Sequence, residues 1–320
     1  MREITVSEVD GILAGHAEDR EARTGCTAVL APEGAVAACR TPGFAPGSRE
    51  TEALRPEGLT GIVHGVALCG GSAFGLAAAS GVARFLAGKG IGFEAGGIRI
   101  PVVPAAVIYD YPGNLSRGAL PDEATGRRAA EAASKAPLPG GSRGAGVSAE
   151  SGRIADPGLT SPSGIGSFGL EFPSGFRLAC LAVVNPLGSI VDHVTGRIVS
   201  GVRLPGGGLA GRQGILARLA ERDAPAAPGP RQADGPPQAT VIALVATNAP
   251  LDRVGASRLA GMAAAGITRA VYPAHLLLDG DTVFALATSG GPVPGASWLG
   301  ALAADALAEA ILRSVPGGGE

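Results

Sequence analysis

The sequence lacks the features that would tie this protein to a membrane or a nucleic acid. Its 320 residues carry a net charge of −2 and no block of basic residues, which argues against nucleic acid or an anionic membrane as the main partner. No apolar run approaches the roughly 18 residues that a membrane span needs. The N-terminus is acidic where a signal peptide would be basic and then apolar. We therefore expect a cytoplasmic protein that acts on a small molecule.

Cysteine and histidine are also scarce. The four cysteines are widely spaced and form no C-x-x-C motif, so we interpret them as small buried apolar residues rather than as a disulfide framework or a zinc site: Cys26, Cys39, Cys69 and Cys180. The four histidines include no pair four residues apart, which argues against a metal site: His16, His64, His193 and His275. Nothing in the sequence requires a cofactor.

Glycine and proline are abundant, with 52 and 25 residues, but they show no period that would indicate a collagen-like chain. Strand-like runs come in groups that are separated by helical segments, which favours stacked sheets covered by helices over a doubly wound sheet. The segment 137–175 has no periodicity and is predicted to be a long loop. The other main predictions are strands at 26–31, 35–39, 62–68 and 176–185 and helices at 72–87, 122–136, 210–222, 251–265 and 297–314.

The most informative stretch is the one in which a linker runs directly into a strand. Residues 223–238 are dominated by proline, glycine and alanine, a composition that holds neither a helix nor a strand. Thr240–Thr247 follows as a continuous apolar and β-branched run, which is typical of a strand buried on both faces. If the bond after Ala239 were cut, Thr240 would become an N-terminal residue whose hydroxyl is activated by its own α-amino group.

Three further polar residues could complete a site around this threonine. Asn185 ends a predicted buried strand, and its NH₂ group is either a satisfied core amide or a donor to a developing oxyanion. Asp279 and Asp281 form an acid-Gly-acid motif before another strand, a pattern that by itself usually marks a turn. Combined with Thr240, these residues form a set of nucleophile, oxyanion donor and orienting carboxylates.

Two other motifs are interpreted structurally. The segment Gly164–Gly169 matches G-x-G-x-x-G, but a loop precedes it and a strand follows it, so we predict a flexible loop lining a pocket rather than a dinucleotide site. Ser72 lies in a sequence similar to a nucleophile elbow, yet Phe74 occupies a position that the motif reserves for glycine. We predict that Ser72 is the N-cap of the helix that follows it.

Several long segments resemble the P1 family of peptidases, the DmpA-type aminopeptidases with nylon-oligomer hydrolases and pantetheine hydrolases as relatives. The resemblance covers nearly the whole chain and is carried by residues 15–51, 63–111, 183–192 (VVNPLGSIVD), 239–251 (ATVIALVATNAPL) and 279–291 (DGDTVFALATSGG). It implies an α+β fold, a four-layer αββα sandwich. It also implies self-cleavage into a large α chain and a small β chain, followed by hydrolysis of small amides by the freed N-terminal residue.

Residue by residue, the resemblance places the nucleophile at Thr240, the oxyanion-side asparagine at Asn185 and the orienting acids at Asp279 and Asp281. Arg153 occupies the place of the family's lysine or tyrosine near the glycine-rich loop; unlike a lysine, its guanidinium stays charged. Cleavage between Ala239 and Thr240 would divide one domain, residues 1–320, into an α chain 1–239 ending in the linker 222–238 and a β chain 240–320. Ala239 stands where the family usually has Asn or Gly, but an Ala-Thr pair is cleaved in the similarly folded ornithine acetyltransferases.

The leading hypothesis is therefore an N-terminal-threonine hydrolase, an aminopeptidase or amidohydrolase that acts through an acyl-enzyme. One alternative is an acyltransferase of the ornithine-acetyltransferase type, in which an amine takes the acyl group from the enzyme. The other is an unprocessed, non-catalytic binding subunit. The expected partner is a small amide or peptide substrate, with no nucleic acid and no membrane, and we expect a homo-oligomer, taken as a tetramer.

Overall fold

The computed structural model describes residues 1–59, 61–110, 119–156, 158–223 and 239–316. The helices are α1 Ala78–Gly88, α2 Glu123–Glu131, α3 Arg212–Asp223, α4 Arg253–Ala263, α5 Ala265–Ala270 and α6 Ala296–Leu312. The strands are β1 Arg2–Ile4, β2 Leu13–Asp19, β3 Thr24–Arg40, β4 Ser48–Arg49, β5 Ile62–Cys69, β6 Phe93–Ala95, β7 Ile98–Ile100, β8 Ala105–Val107, β9 Glu150–Ser151, β10 Ser161–Pro162, β11 Ile165–Glu171, β12 Arg177–Asn185, β13 Ser189–Val191, β14 Ile198–Ser200, β15 Thr240–Thr247, β16 Val271–Tyr272 and β17 Thr282–Ala287. The linker predicted at 222–238 lies outside the described residues from 224 onward. No helix in the described ranges is both long and apolar enough to cross a membrane.

The long strand β3 connects the two halves of the main sheet. Its first half, residues 24–30, pairs with β2 on one side and with β5 on the other. Its second half, residues 36–40, pairs with β17. Beyond β17 the order continues through β15, β12 and β11 to β1, and beyond β5 it continues through β8 to β4. One hydrogen-bonded path therefore runs through both layers of strands.

Side chains point alternately to the two faces of each strand, and they contribute to three separate apolar cores. In β15, Ile242, Leu244 and Ala246 belong to a central core that they share with strands of both halves of the sheet, such as Val66 of β5. The opposite face of β12, β15 and β17 packs against α4, α5 and α6. The outer face of β2, β3, β5 and β8 packs against α1 and α2. Because side chains alternate between the two faces of a strand, these cores stack helices, strands, strands and helices, which confirms the predicted αββα sandwich.

The two strands predicted at 26–31 and 35–39 form a single strand. The register of β3 against β5 shifts between Leu30 and Ala35, so the Pro-Glu-Gly sequence between them is accommodated as a bulge. Gly34 adopts the left-handed conformation there, with φ of 86°. The Pro-Glu-Gly sequence interrupts the pairing of β3 with β5, but a bulge of this kind does not end the strand.

The prediction that 137–175 is one long loop is wrong, and so is the prediction of a flexible loop at 164–169. Residues Ile165–Glu171 form β11, which pairs with β12 along its whole length. A side chain at Gly166 would collide with the backbone of α6 at Ala310, and one at Gly169 would collide with Ala179 of β12. The glycines are therefore present because neighbouring elements approach this strand closely, and their lack of apolar side chains hides the strand pattern.

The N-cap prediction for Ser72 is also wrong. A 3-10 segment, Ser72–Ala77, precedes α1; Gly71 occupies the cap position, and no side chain caps the segment. Both residues have positive φ, 81° for Gly71 and 52° for Ser72, whereas a capping serine requires an extended backbone. The Ser72 main-chain N–H instead donates to the Ile108 carbonyl at 3.0 Å, which joins this turn to the end of β8.

Candidate active site

Three chain segments meet around Thr240, where strands of the main sheet begin or end. Thr240 begins β15, and it lies opposite Asn185, the last residue of the antiparallel neighbour β12. On the other side Ala239 forms a parallel bridge with Asp279, just before the parallel neighbour β17. The sheet therefore brings together the nucleophile, asparagine and acidic motif that the sequence analysis proposed as one set.

The Thr240 side chain contacts the carbonyl group of the preceding residue. Its hydroxyl donates to the Ala239 carbonyl oxygen at 2.6 Å, and the main-chain N–H of Gly280 donates to the same oxygen at 2.9 Å. A side chain at Gly280 would lie only 2.9 Å from Thr240 Oγ1, so glycine allows this close approach. Thr240 is buried, with 5% of its surface exposed. The carbonyl of the expected cleavage site thus carries both a neighbouring hydroxyl and a backbone N–H donor.

Asp281 fixes two segments of the chain near this bond. Its Oδ1 accepts from the Val241 main-chain N–H at 2.7 Å. Its Oδ2 is bonded to the His275 ring at 2.8 Å and accepts from the His275 main-chain N–H at 3.3 Å. Asp281 is buried, and burying a carboxyl group without such partners is costly. Asp281 thereby holds the backbone next to Thr240 in a defined position.

Asp279 differs because only one of its carboxyl oxygens is bonded. Oδ2 accepts from the Leu276 main-chain N–H at 2.7 Å, while Oδ1 is buried without a hydrogen-bond partner. Burial raises the pKa of Asp279 to about 7, and the negative charge of Asp281 adds to this; the Leu276 N–H and His275 act in the opposite direction. The uncut chain therefore holds a carboxyl group that is ready to gain a partner.

His275 is a residue of this site that the sequence analysis missed. It is partly buried and has a positive φ of 59°, and its ring contacts Asp281 at 2.8 Å. The sequence offered a signal, because His275 lies only four residues before the acid-Gly-acid motif. The spacing of His275 from the other histidines argues only against a metal site, and it does not bear on a histidine ring that binds a carboxylate.

Asn185 is completely buried and bonded through both ends of its amide. Its Nδ2 donates to the Tyr109 carbonyl at 2.8 Å, and its Oδ1 accepts from the Glu150 main-chain N–H at 3.1 Å. Because an amide NH₂ carries two hydrogens, the bond to Tyr109 occupies one of them. Asn185 is therefore a satisfied core amide at the strand position opposite Thr240, and its role as an oxyanion donor stays a prediction.

Arg153 bonds the residue that follows Asn185. Its main-chain N–H donates to the Pro186 carbonyl at 3.4 Å. Its guanidinium is largely buried, with 10% of the side chain exposed, and lies 3.9 Å from the Glu150 carboxylate. Burial lowers the pKa of Arg153, whereas Glu150, Asp110 and Tyr109 act to raise it. A guanidinium remains charged under such conditions, so this corner of the site carries a fixed positive charge.

Asp110 is a second buried carboxyl group that the sequence analysis did not single out. It accepts from the Ser148 hydroxyl at 2.6 Å and from the Gly71 main-chain N–H at 2.8 Å. Burial raises the pKa of Asp110, and Arg153 acts in the opposite direction. Gly70 and Gly71, in the motif that resembles a nucleophile elbow, lie against this carboxyl group. Its sequence signal was an acidic residue near the end of an apolar run, three residues after the last residue of β8, Val107.

A cavity of about 500 Å³ lies away from Thr240. It is lined by residues 14–18 and 20 and by residues between 132 and 143, including His16, Glu18 and Arg143, and none of the predicted site residues lines it. Among the described residues, no group of three or more histidine, cysteine, aspartate or glutamate side chains is placed to hold a metal ion.

Comparisons with known proteins show which family and relatives the chain resembles. The model of a family described as peptidase family S58 matches residues 5–318. An uncharacterized aminopeptidase of Mycobacterium tuberculosis is 36% identical over 338 residues, which cover 97% of this chain and 93% of the relative. A 6-aminohexanoate-oligomer endohydrolase of a Kocuria species is 30% identical over 325 residues, covering 98% of this chain and 86% of the relative.

Solved structures share the fold at lower sequence identity. An L-aminopeptidase D-Ala-esterase/amidase of Ochrobactrum anthropi, described as a variant of the Ntn hydrolase fold, superposes with a TM-score of 0.68 at 18% identity. A Burkholderia β-aminopeptidase superposes with a TM-score of 0.64 at 20% identity. Each comparison covers 97% of this chain and 85% of the other chain.

Proposed function

The chain belongs to peptidase family S58, and we propose that it is a self-processing amide hydrolase with Thr240 as its nucleophile. The observation that carries the proposal is the Ala239 carbonyl oxygen, which accepts both from the Thr240 hydroxyl and from the Gly280 main-chain N–H. The similarity to aminopeptidases and to a 6-aminohexanoate-oligomer hydrolase supports an activity on peptide or amide bonds. The N-terminal-nucleophile fold of the structural relative supports the position of the nucleophile.

The first stage is cleavage of the chain by its own threonine. Thr240 Oγ1 attacks the Ala239 carbonyl carbon, and the Gly280 N–H stabilises the negative charge that develops on the oxygen. The bond to the Thr240 nitrogen then breaks, the proton of the hydroxyl is transferred to that nitrogen, and an ester joins Ala239 to Oγ1. Water hydrolyses this ester and releases chains 1–239 and 240–320. Three points stay predictions: the division into chains 1–239 and 240–320, the homo-oligomeric state and the cytoplasmic location.

The second stage uses the amine that cleavage creates. An unperturbed α-amine has a pKa of about 7.7 to 8.0, so the Thr240 amine can accept the hydroxyl proton near neutral pH. We propose that Asp279 Oδ1, which has no partner in the uncut chain, accepts from the new ammonium group and orients it. Asp281 holds the adjacent Val241 N–H. Two carboxyl groups thus position one N-terminal residue.

The acyl group of a substrate is then transferred to Thr240 and released to water. The second N–H of Asn185 is proposed to donate to the oxyanion that forms during each transfer. The main chain of Arg153 bonds Pro186, the residue after Asn185, and its guanidinium lies beside Glu150. The charge of Arg153 is proposed to stabilise that oxyanion at longer range. The nucleophile, base and oxyanion donors come from this chain, so no cofactor enters either stage.

Intact-mass analysis of the purified protein tests this proposal. We expect the 31.4 kDa chain to convert into two fragments, the smaller beginning at Thr240, and we expect Thr240→Ala to remain uncut and inactive. Thr240→Ser should still be processed because it keeps the hydroxyl. Thr247→Ala, at the far end of the same strand, is the matched control and should be cut. An active Thr240→Ala variant would contradict the proposal, and product analysis with an added amine acceptor separates hydrolysis from acyl transfer.

A further inference from the structure

Asp110 is buried, with 5% of its surface exposed, and its carboxyl group has no role in the two stages described above. Its Oδ2 accepts from the Ser148 hydroxyl at 2.6 Å, and its Oδ1 accepts from the Gly71 main-chain N–H at 2.8 Å. The first distance is typical of a hydroxyl that donates to a carboxylate. A buried carboxyl group is costly unless it is bonded in this way, so we ask what these bonds hold in place.

The two partners of the Asn185 amide lie on the two chain segments that Asp110 joins. Asn185 Nδ2 donates at 2.8 Å to the carbonyl of Tyr109, the residue directly before Asp110. Asn185 Oδ1 accepts at 3.1 Å from the main-chain N–H of Glu150, which follows shortly after Ser148. The bond from Ser148 to Asp110 therefore closes a ring of hydrogen bonds and short pieces of main chain, and the Asn185 amide is part of this ring.

From this ring we propose that Asp110 is a positioning residue that acts through Ser148 to hold the Asn185 amide in the orientation for oxyanion donation. The inference rests on the proposed function. An asparagine side chain rotates about χ1 and χ2, so its plane is defined only if its two partners keep a fixed separation. These partners come from separate parts of the chain, and the bond between Asp110 and Ser148 joins them. The second N–H of Asn185 then keeps one direction, as an efficient donor must.

The two glycines of the motif that resembles a nucleophile elbow accommodate this carboxyl group. A side chain at Gly70 would lie 2.5 Å from Asp110 Oδ2, so a larger residue would displace the carboxyl. Gly71 has a φ of 81°, which favours glycine, and its N–H donates to Oδ1. The Ile108 N–H donates to the Cys69 carbonyl at 2.9 Å, which joins the segment before Asp110 to the end of β5. The motif thus anchors the ring to the main sheet.

Ser148→Ala tests the proposal because it removes only the hydroxyl that closes the ring. The probe is the aminoacyl 4-nitroanilide that the processed parent hydrolyses fastest. We expect kcat to fall by about ten-fold with little change in KM, since donation to an oxyanion acts in the transition state. Self-cleavage should proceed at the parent rate, because the donor proposed for that step, the Gly280 N–H, lies outside the ring.

Ser151→Ala is the matched control on the same segment. Ser151 is also buried, and its hydroxyl is bonded to that of Ser200 at 2.8 Å, outside the ring. This variant loses a buried serine hydroxyl as well, but it should keep the kcat of the parent. Equal kcat values for Ser148→Ala and Ser151→Ala would overturn the proposal.

A double-mutant cycle separates positioning of Asn185 from a general loss of structure. If Ser148 acts through Asn185, adding Ser148→Ala to Asn185→Ala should lower kcat by less than about two-fold, because the group to be positioned is already gone. The same loss in both backgrounds would show that Ser148 acts independently of Asn185, and the proposal would be wrong.

Two variants of Asp110 provide an independent test. In Asp110→Asn the amide oxygen can accept from the Gly71 N–H while the NH₂ group donates to the Ser148 oxygen. The ring then stays closed, and kcat should stay close to that of the parent. Asp110→Ala opens the ring and should lower kcat by about ten-fold or more. Equal losses in the two variants would assign the effect to the charge of Asp110 rather than to the ring.

Failure of the proposed function is a separate observation. If no anilide is hydrolysed in a manner that Thr240→Ala abolishes, the proposed function fails, and the role of Asp110 fails with it. If hydrolysis depends on Thr240 but the cycle between Ser148 and Asn185 is additive, the function stands and the role of Asp110 alone is overturned.

Discussion

The main-chain N–H of Val241 donates to Oδ1 of Asp281 at 2.7 Å, and this bond fixes the strand at the residue after Thr240, the proposed nucleophile. The other oxygen of Asp281 binds the His275 ring at 2.8 Å. The carboxylate therefore links the head of β15 to the segment before β17. The position of the Thr240 hydroxyl relative to the proposed cleavage site depends on this link, because Thr240 directly precedes Val241.

Asp281→Asn should slow self-cleavage by about ten-fold or more. The substitution keeps the size of the side chain but removes the charge that strengthens its bonds to Val241 and His275, and hydrogen bonds to charged groups contribute about 1.5 to 3 kcal/mol. The rate of fragment appearance, followed by mass spectrometry, measures the effect. Asp192→Asn is the control, because Asp192 bonds a surface turn at 194–195. Equal cleavage rates for the two variants would contradict the role of Asp281.

Asn185→Ala should lower the turnover of the processed enzyme by about 10² to 10³-fold, the usual effect of removing an oxyanion donor. Asn185→Asp keeps the shape but replaces the NH₂ group by oxygen, so it should be similarly impaired. Thermal unfolding supplies the check on structure, since Asn185 also bonds Tyr109 and Glu150. A variant that melts well below the parent yet keeps its turnover would identify Asn185 as a structural residue alone.

Asp279 should make the uncut chain less stable as the pH rises from about 4 to about 7. Its pKa is raised from 3.8 to about 7 in the folded chain, so between these values the folded state binds more protons than the unfolded state. Stability then falls with increasing pH. The comparison is between Thr240→Ala, which stays uncut, and the double variant that combines Thr240→Ala with Asp279→Asn.

Chemical unfolding at several pH values measures this difference. The single variant, which keeps Asp279, should lose at least about 1 kcal/mol more between pH 4 and pH 7 than the double variant, since one pKa unit corresponds to 1.36 kcal/mol. Carboxyl groups remote from this pair contribute equally to both variants and cancel, so the difference reports Asp279 together with its interaction with Asp281. Parallel curves would show that Asp279 is ionised in the uncut chain throughout this range.

Arg153→Ala should lower turnover by about ten-fold or more, because it removes the fixed charge next to Asn185 and leaves Glu150 without that neighbour. Arg153→Lys should retain more activity, and its rate should depend more steeply on pH, since a buried ammonium group can lose its proton where a guanidinium does not. The measurement is kcat as a function of pH for both variants. Arg143→Ala, a half-exposed arginine beside Glu18, is the control and should match the parent.

Part of the fold followed from residue patterns. The run Thr240–Thr247 predicts a strand buried on both faces, and all eight residues are buried in β15. The predicted strand at 176–185 and the closing helix at 297–314 correspond to β12 and α6. These elements have a strong apolar pattern, which burial imposes on the sequence. The layered arrangement of the sheets came from the grouping of strands together with the resemblance to a peptidase family.

The failures share one physical cause, which is that glycine carries no side chain to record what surrounds it. β11 contains glycines because α6 and β12 approach it closely, so it resembled a loop. The Gly71 main-chain N–H donates to the buried carboxyl of Asp110, and Ser72 has a positive φ, although the motif resembled a nucleophile elbow. In both cases the contacts come from residues far away in the sequence, and the local pattern cannot show them.

The sequence by itself determined the chemical groups: a threonine hydroxyl at a junction of linker and strand, two acids separated by a glycine, an asparagine at a strand end and a family resemblance. The tertiary structure alone decided how these groups are partnered. It placed Gly280 on the Ala239 carbonyl, His275 on Asp281 and Ala239 in an apolar cluster. The reason is that strand order and register, which no local pattern encodes, set which residues face each other across a sheet.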